Sequence, residues 1–424
     1  MPIRTTSAPG AAGALLLTHG YVREALPLIR RGLRDNPTDS AGLSNLSVAH
    51  RLIGQPDTAE VFAKRALKAD PNCGPAWNNW GMISEDLAEW RTALKAYAMA
   101  HRLMPEDCRI MVNYATALMR LERFREAWPL WDAGRLGASW APPGEGFPVW
   151  DGTQDPRGKR ILVIREGGYG DEFMFARWFP KLKNLGAEVV FGCLPETVSL
   201  FAGHPALHSC VALEDVDFEG LHYCVPLMGL PSAFGMESLE DIPPPITLSV
   251  DRIRTELWLS RVNETETFAG VTRPKRVGLC WRAGEYAVAR PHRSLTEAEI
   301  EPLAQARGVQ WFSLCPRVEK AAPCPEWVTD LSDGIQDWED TAALILNLDL
   351  VVTVDTAVAH LAGTLGIPTW ILLPRRSDGK WFVEGEESAW YPGKVRLFRR
   401  GNEKNWRPVV KRVLAEVERF KPRR

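Results

Sequence analysis

Nowhere in this 424-residue chain do two cysteines form a C-x-x-C pair, and none of the eight (Cys73, Cys108, Cys193, Cys210, Cys224, Cys280, Cys315 and Cys324) stands with histidines at zinc spacing. That excludes a structural zinc site and a disulfide framework, and the pattern is that of reduced, mostly buried thiols in a cytoplasmic protein. No apolar run reaches the length of a membrane span. Ala11 to Leu17, after Arg4, is the one leader-like stretch; it is short, broken by Gly13 and has no convincing cleavage site. Neither sign of charge is in excess: the formal net charge of -2 leaves no basic field for nucleic acid or an anionic membrane. The sequence has neither a G-x-G-x-x-G nor a G-K-[ST], which removes the simplest dinucleotide and P-loop readings. Its length suits two or three domains with sizeable cores.

What is present first is a repeat. Ala25, Ala59, Ala93 and Ala127 recur every 34 residues, as do Pro37, Pro71 and Pro105, and Gly20, Gly54 and Ala88. The period, the small residue at a helix crossing and the Pro after the second helix resemble the tetratricopeptide repeat. Trp77-Asn78-Asn79-Trp80-Gly81 sits at that family's W-x-x-L-G position, with Trp80 in place of Leu. Three repeats from about residue 7 to 107 and a fourth ending near Gly134 make residues 1–140 an α-solenoid with a concave face. A further column, Asn45, Asn79 and Asn113, falls on the inner helices. A carboxamide both donates and accepts, so the column suits a groove that grips an extended peptide by its main chain. A similar ladder is known in O-linked N-acetylglucosamine transferases. The alternative use is to tie neighbouring helices together.

Residues 137–159 are rich in Pro and Gly, and 141–159 reads as a linker. A buried strand follows, Arg160 to Ile164, then a Gly-rich turn from Arg165 to Glu172 and a helix from Phe173 to Leu185, closed by Gly186. Strands are expected at Ala187 to Phe191, Cys210 to Leu213 and Leu221 to Leu227, completing a first α/β lobe over 160–268. Gly168 and Gly170 allow a ligand close to the backbone. Asp171, at the mouth of that turn, either caps the helix or serves as a general base facing a cleft.

After Pro243-Pro244-Pro245, a hinge candidate, a helix at Thr255 to Val262 leads into a second lobe over 269–424. Its strands are Arg276 to Trp281, Val309 to Leu314, Leu348 to Val354 and Thr369 to Leu373. The first of them runs into Arg282 and a polar loop with Glu285, Arg290, His292 and Arg293. Asp340-Thr341 reads as a helix cap. Val351 to Trp370 is a strand, a turn at Asp355-Thr356, a helix from Ala357 to Leu365 and a second strand. In a parallel sheet such a turn holds an anion at the helix N-terminus, which places Asp355 and Thr356 beside a phosphate or ribose. The plainer use of Asp355 is as an N-cap, of His360 as a packed helix residue, and of Arg282 and Arg293 as surface charge. Trp381, Trp390-Tyr391-Pro392 and Trp406 suit tertiary packing, and Lys421 to Arg424 a solvated end.

Strand-then-G-x-G-D, G-L-x-W, and above all V-D-T-A-V-A-H-L-A-G-T-L-G resemble the heptosyltransferase-like glycosyltransferases of the GT-B fold. The whole chain resembles bacterial tetratricopeptide proteins that carry such a region. The resemblance implies a solenoid followed by a two-lobed, twin Rossmann-like transferase whose last helix can cross back to the first lobe. It implies Asp171 as base on the acceptor hydroxyl. Asp355, Thr356 and His360 would lie at the donor's phosphates, with Ala357 where that family has Gly. Arg282 and Arg293 would assist on the departing phosphate, so that no metal is required. The expected enzyme, cytoplasmic and without a cofactor, moves a hexosyl, heptosyl or nonulosonyl group with inversion from a nucleotide sugar to a Ser or Thr of a protein held in the groove, flagellin-like by family analogy. Two other classes stay open: a non-catalytic adaptor that senses a nucleotide sugar, and a transferase acting on a lipid or polysaccharide.

Overall fold

The computed structural model describes residues 3, 7–138, 140–144, 146–265, 273–284, 293–315, 323–401, 403 and 405–422. Glu285, Arg290 and His292 lie outside the described residues. The chain forms two units: residues 1–141 with 376–383, and residues 142–375 with 384–424. Among the described residues, no helix is long and apolar enough to cross a membrane.

The first unit is a helical repeat array. It consists of α1 (Ala8–Thr18), α2 (Val22–Asp35), α3 (Ser40–Leu52), α4 (Pro56–Ala69), α5 (Gly74–Asp86), α6 (Trp90–Leu103), α7 (Cys108–Arg120) and α8 (Phe124–Ala138). Consecutive helices pack as hairpins, and each hairpin stacks on the next. The leader-like stretch is simply part of α1. Ala25, Ala59, Ala93 and Ala127 are at most 1 % exposed, because each lies where the second helix of a pair crosses its neighbour. Gly81 serves the same end, since a Cβ there would lie 2.5 Å from the Tyr97 ring. The turn closing each first helix needs a left-handed residue: Gly20, Gly54, Ala88 and Glu122 have φ of 81°, 78°, 58° and 61°. Their 34-residue spacing extends the glycine register to a fourth position that Glu122 disguises in the sequence.

The second unit contains two sheets, all of whose strand pairs are parallel. The first is built from β1 (Arg160–Ile164), α9 (Tyr169–Phe175), α10 (Phe179–Asn184), β2 (Glu188–Cys193), α11 (Val198–Phe201), β3 (Ser209–Ala212), β4 (Tyr223–Pro226) and α12 (Leu230–Ala233). After α13 (Arg252–Glu264), the second comprises β5 (Lys275–Cys280), α14 (Glu297–Ile300), β6 (Val309–Ser313), β7 (Val328–Thr329), α15 (Trp338–Leu346), β8 (Leu350–Val354) and α16 (Ala357–Thr364). It ends with β9 (Thr369–Leu373), β10 (Val395–Arg399) and α17 (Arg407–Arg419). The strand orders are β3-β2-β1-β4 and β10-β9-β8-β5-β6-β7. Each sheet therefore winds both ways from its first strand, and its switch point lies between β1 and β4 or between β5 and β8. Ligands of open α/β sheets bind outside the carboxyl ends of such strands.

Three sequence expectations need correction. The helix placed at Phe173 begins at Tyr169, because Asp171 accepts the Gly168 N–H at 2.9 Å and winds the first turn earlier. The cap of α15 is Asp337, which accepts from the Asp340 N–H, and not Asp340. The last helix does not cross back: Val409, Val410, Val413 and Val417 are buried, and α17 packs beside α14 and β10 of its own sheet.

Candidate functional site

The turn after β1 is shaped by two glycines and one acid. Gly167 has φ of 68°, and a Cβ there would lie 2.2 Å from Asp171 Oδ2, so only Gly permits the cap. Gly168 is exposed, with open space where a side chain would be. Asp171 is half-buried and closes the turn through Gly168. Its neighbour Glu172 points the other way and is fully buried. It accepts hydrogen bonds from Thr197 Oγ1 at 2.6 Å, the Leu194 N–H at 3.0 Å and Arg165 Nε at 3.2 Å. Arg165, also bonded to the Gly167 carbonyl, is thereby held beside the Gly-rich turn.

Burial pushes the Glu172 carboxyl up to about 7. The unfolded chain loses that proton near an ordinary 4.5 while the folded chain keeps it to about 7, so this group's stabilisation is complete below 4.5 and is lost as pH rises through 7. Glu172→Gln should therefore remove a decline in melting temperature between about pH 5 and 7.5, worth at most roughly 3 kcal/mol. Thermal unfolding of both proteins across that range checks it; parallel profiles would rule out the titration.

The turn after β8 is organised differently. Asp355 is 2 % exposed and does not cap α16; its Oδ2 lies 2.9 Å from Arg293 Nη2, and Arg293 also donates to the Asp355 carbonyl. Thr356 is the N-cap residue, and its hydroxyl lies 3.1 Å from that of Thr353 and 3.9 Å from Cys280 Sγ, tying the ends of β8 and β5 together. Arg282, just past β5, lies over the Trp281 ring at 5.0 Å and 3.8 Å from a Glu297 oxygen.

Gly170 brings the two turns together. A Cβ on it would lie 2.9 Å from His360 Cδ2 and 3.2 Å from Ala357 Cα, so the first turn of α9 sits against the first turn of α16. The space left by its missing side chain is thus filled by protein, whereas that at Gly168 faces outward. His360 is 1 % exposed, and its Nδ1 lies 3.1 Å from the Tyr391 hydroxyl. Asp171, Gly168, Gly170, Ala357 and His360 thus gather around one contact, and Asp355, Thr356 and Arg293 form the adjoining turn. Sequence reasoning missed Tyr391, whose hydroxyl meets His360, although the Trp-Tyr-Pro cluster in a polar segment was a signal for it.

In the repeat array the asparagine column splits. Asn45 Oδ1 accepts the Ile3 N–H and its Nδ2 donates to the Ile3 carbonyl, both at 2.6 Å, a two-bond grip on main chain. Asn79 Nδ2 instead donates to Ser44 Oγ at 2.9 Å, and Asn113 Nδ2 to Asn78 Oδ1 at 3.0 Å, linking successive first helices. Residues 376–383 cover the later repeats. Arg376 pairs with Glu85 at 3.0 Å and Asp86 at 2.5 Å, Arg120 donates to the Ser377 carbonyl at 2.9 Å, and Phe382 meets Phe124 edge-on.

No family model matches the chain. It is similar to Protein FlbA of Caulobacter vibrioides, 26% identical over 430 residues that cover 94% of this chain and 70% of that protein. Among solved structures it is similar to MamA (TM-score 0.27, 17% identity, 29% of this chain and 71% of that one). It is also similar to PilF of Pseudomonas aeruginosa (0.28, 20%, 30% and 59%). A third is the first tetratricopeptide domain of Spaghetti (RPAP3) bound to an HSP90 peptide (0.26, 18%, 27% and 90%).

Proposed function

We propose that the chain is a glycosyltransferase of GT-B type, which moves a sugar from a nucleotide-activated donor to a Ser or Thr hydroxyl of a protein acceptor. The observation that carries this reading is placement: the Gly168–Asp171 and Asp355–His360 segments follow strands at the switch points of two parallel sheets, and they meet at Gly170. Asp171 takes the proton as the acceptor oxygen bonds to the anomeric carbon, the bond from that carbon to the phosphate oxygen breaks, and the nucleotide leaves with the electron pair. The charge on the departing phosphate is met by the amides at the start of α16, by His360 and by Arg282 and Arg293. The Asn45 grip on Ile3 main chain supports a peptide acceptor over a lipid or polysaccharide, because it reads what every extended peptide has.

The cap bond of Asp171 favours one other reading, an adaptor that senses a nucleotide sugar without turnover. A thermal-shift screen against UDP-, GDP-, ADP- and CMP-sugars tests the donor site that both readings share. One nucleotide class at about 100-fold over its Kd should stabilise the fold by about 2.7 kcal/mol. The shift should vanish in Asp355→Ala/His360→Ala. A well-folded protein that no nucleotide stabilises would sink the transferase and the sensor together.

A further inference from the structure

Asn45 is a buried carboxamide whose partner lies outside the helices. It is 0 % exposed, and both its ends engage one residue 42 positions earlier: Oδ1 accepts the Ile3 N–H and Nδ2 donates to the Ile3 carbonyl, each at 2.6 Å. The other buried polar side chains of α3 find partners within the repeat array. Ser44 Oγ accepts from Asn79 Nδ2 at 2.9 Å, Ser47 Oγ donates to the Ser44 carbonyl at 2.7 Å, and His50 Nδ1 lies 2.8 Å from Gln55 Oε1. Ile3 belongs to no helix.

In an extended chain the N–H and C=O of one residue point to the same side, so a single carboxamide can take both, as a neighbouring strand would. The two bonds use nothing of the isoleucine side chain. Leaving a buried carboxamide without partners is costly, so the Asn45 position is complete only with extended main chain lying across it. Asn79 and Asn113 tie helices to one another, whereas Asn45 holds main chain that comes from outside them.

We infer that the segment carrying Ile3 is a built-in occupant of the peptide groove: it holds the place that an extended peptide of another protein takes, and such a peptide binds by displacing it. That the displacing peptide is a transferase acceptor rests on the function proposed above; the self-occupancy does not. A segment joined to α1 through Arg4 to Thr6 alone returns to Asn45 at a roughly millimolar effective concentration. Peptides that offer only main chain are therefore kept out, and one that adds contacts elsewhere on the array gets in. A groove that reads no side chain at Asn45 gains its selectivity in this way.

The probe is a synthetic peptide of the chain's own sequence, Met1 to Ser7, labelled at its carboxyl end and followed by fluorescence anisotropy. It is titrated with the full chain and with a chain beginning at Ser7, which keeps the cap of α1 because Ser7 Oγ accepts the Gly10 N–H at 3.2 Å. The shortened chain should bind the peptide at least about tenfold more tightly than the full chain. A methyl group on the Ile3 nitrogen removes the donor to Asn45 Oδ1 and should weaken binding about tenfold, whereas Ile3→Ala in the peptide should change it less than about threefold. Should the shortened chain fail to fold, a site-specific protease cutting between Arg4 and Ser7 of the folded full chain gives the same comparison. Equal binding by both forms, no binding to the folded shortened form at millimolar peptide, or full binding of the N-methylated peptide each overturns the inference. The expected pattern in a protein that no nucleotide sugar stabilises would remove the transferase reading and leave the self-occupied groove standing.

Discussion

Asp171→Asn should, on the transferase proposal, abolish most sugar transfer, lowering kcat by a factor of about 10²–10⁴, while the protein folds and binds its donor as before. The expectation rests on a division of labour within one side chain. Oδ2 accepts the Gly168 N–H and sets the first turn of α9, a task that an asparagine carbonyl can perform. Accepting a proton from an acceptor hydroxyl is a task that asparagine cannot perform. Melting temperature and nucleotide affinity should therefore stay close to wild type as turnover falls. Full transfer by the variant would move the base elsewhere, and an absence of transfer in both proteins, with donor binding intact, would select the sensing adaptor.

Arg293→Met should be among the most destabilising substitutions in the α/β unit, costing about 3 kcal/mol. It removes the Arg293 partner from a carboxylate that is 2 % exposed, and with it a hydrogen bond to the Asp355 carbonyl. Burying the charge is what costs, so neutralising it should restore the fold: Arg293→Met/Asp355→Asn should recover much of the loss, with a coupling of about 2 kcal/mol. Nucleotide-sugar binding should be weak in both, because the guanidinium and the shape of the turn at Thr356 are lost together. Simply additive losses in chemical denaturation would show that the ion pair is incidental.

The elements that depend on neighbours in sequence were readable from it. The 34-residue alanine register marks residues that are at most 1 % exposed, and β1 and β9 fall where the apolar runs place them. Asp171, Ala357 and His360 could be singled out because each stands in a short motif beside a strand end. What was not legible depends on partners far along the chain. β7 has only two residues, too few for a periodic signal. Asp355 reads as a neighbour of phosphate or as a cap until Arg293 is seen beside it, and Asn79 and Asn113 read as ligands for peptide or as helix ties until their links to Ser44 and Asn78 are seen. Gly170 reads as room for a phosphate, and the room goes to Ala357 and His360.

Residues 376–383 leave the strand-rich unit after β9, complete the helical array and return before β10. Trp381 and Phe382, at 1 % and 7 % exposed, are covered there. The border a gene-shuffling event would use, near residue 141, is therefore only one of the places where the chain passes between the two folded units. A cut at that point yields one fragment carrying an uncovered Trp and Phe, and another whose Arg120 and Glu85 have lost their partners. Modularity of this kind is easily mistaken for independence: these repeats cannot be exchanged for another set, as beads on a string could be, unless eight residues more than two hundred positions away change with them.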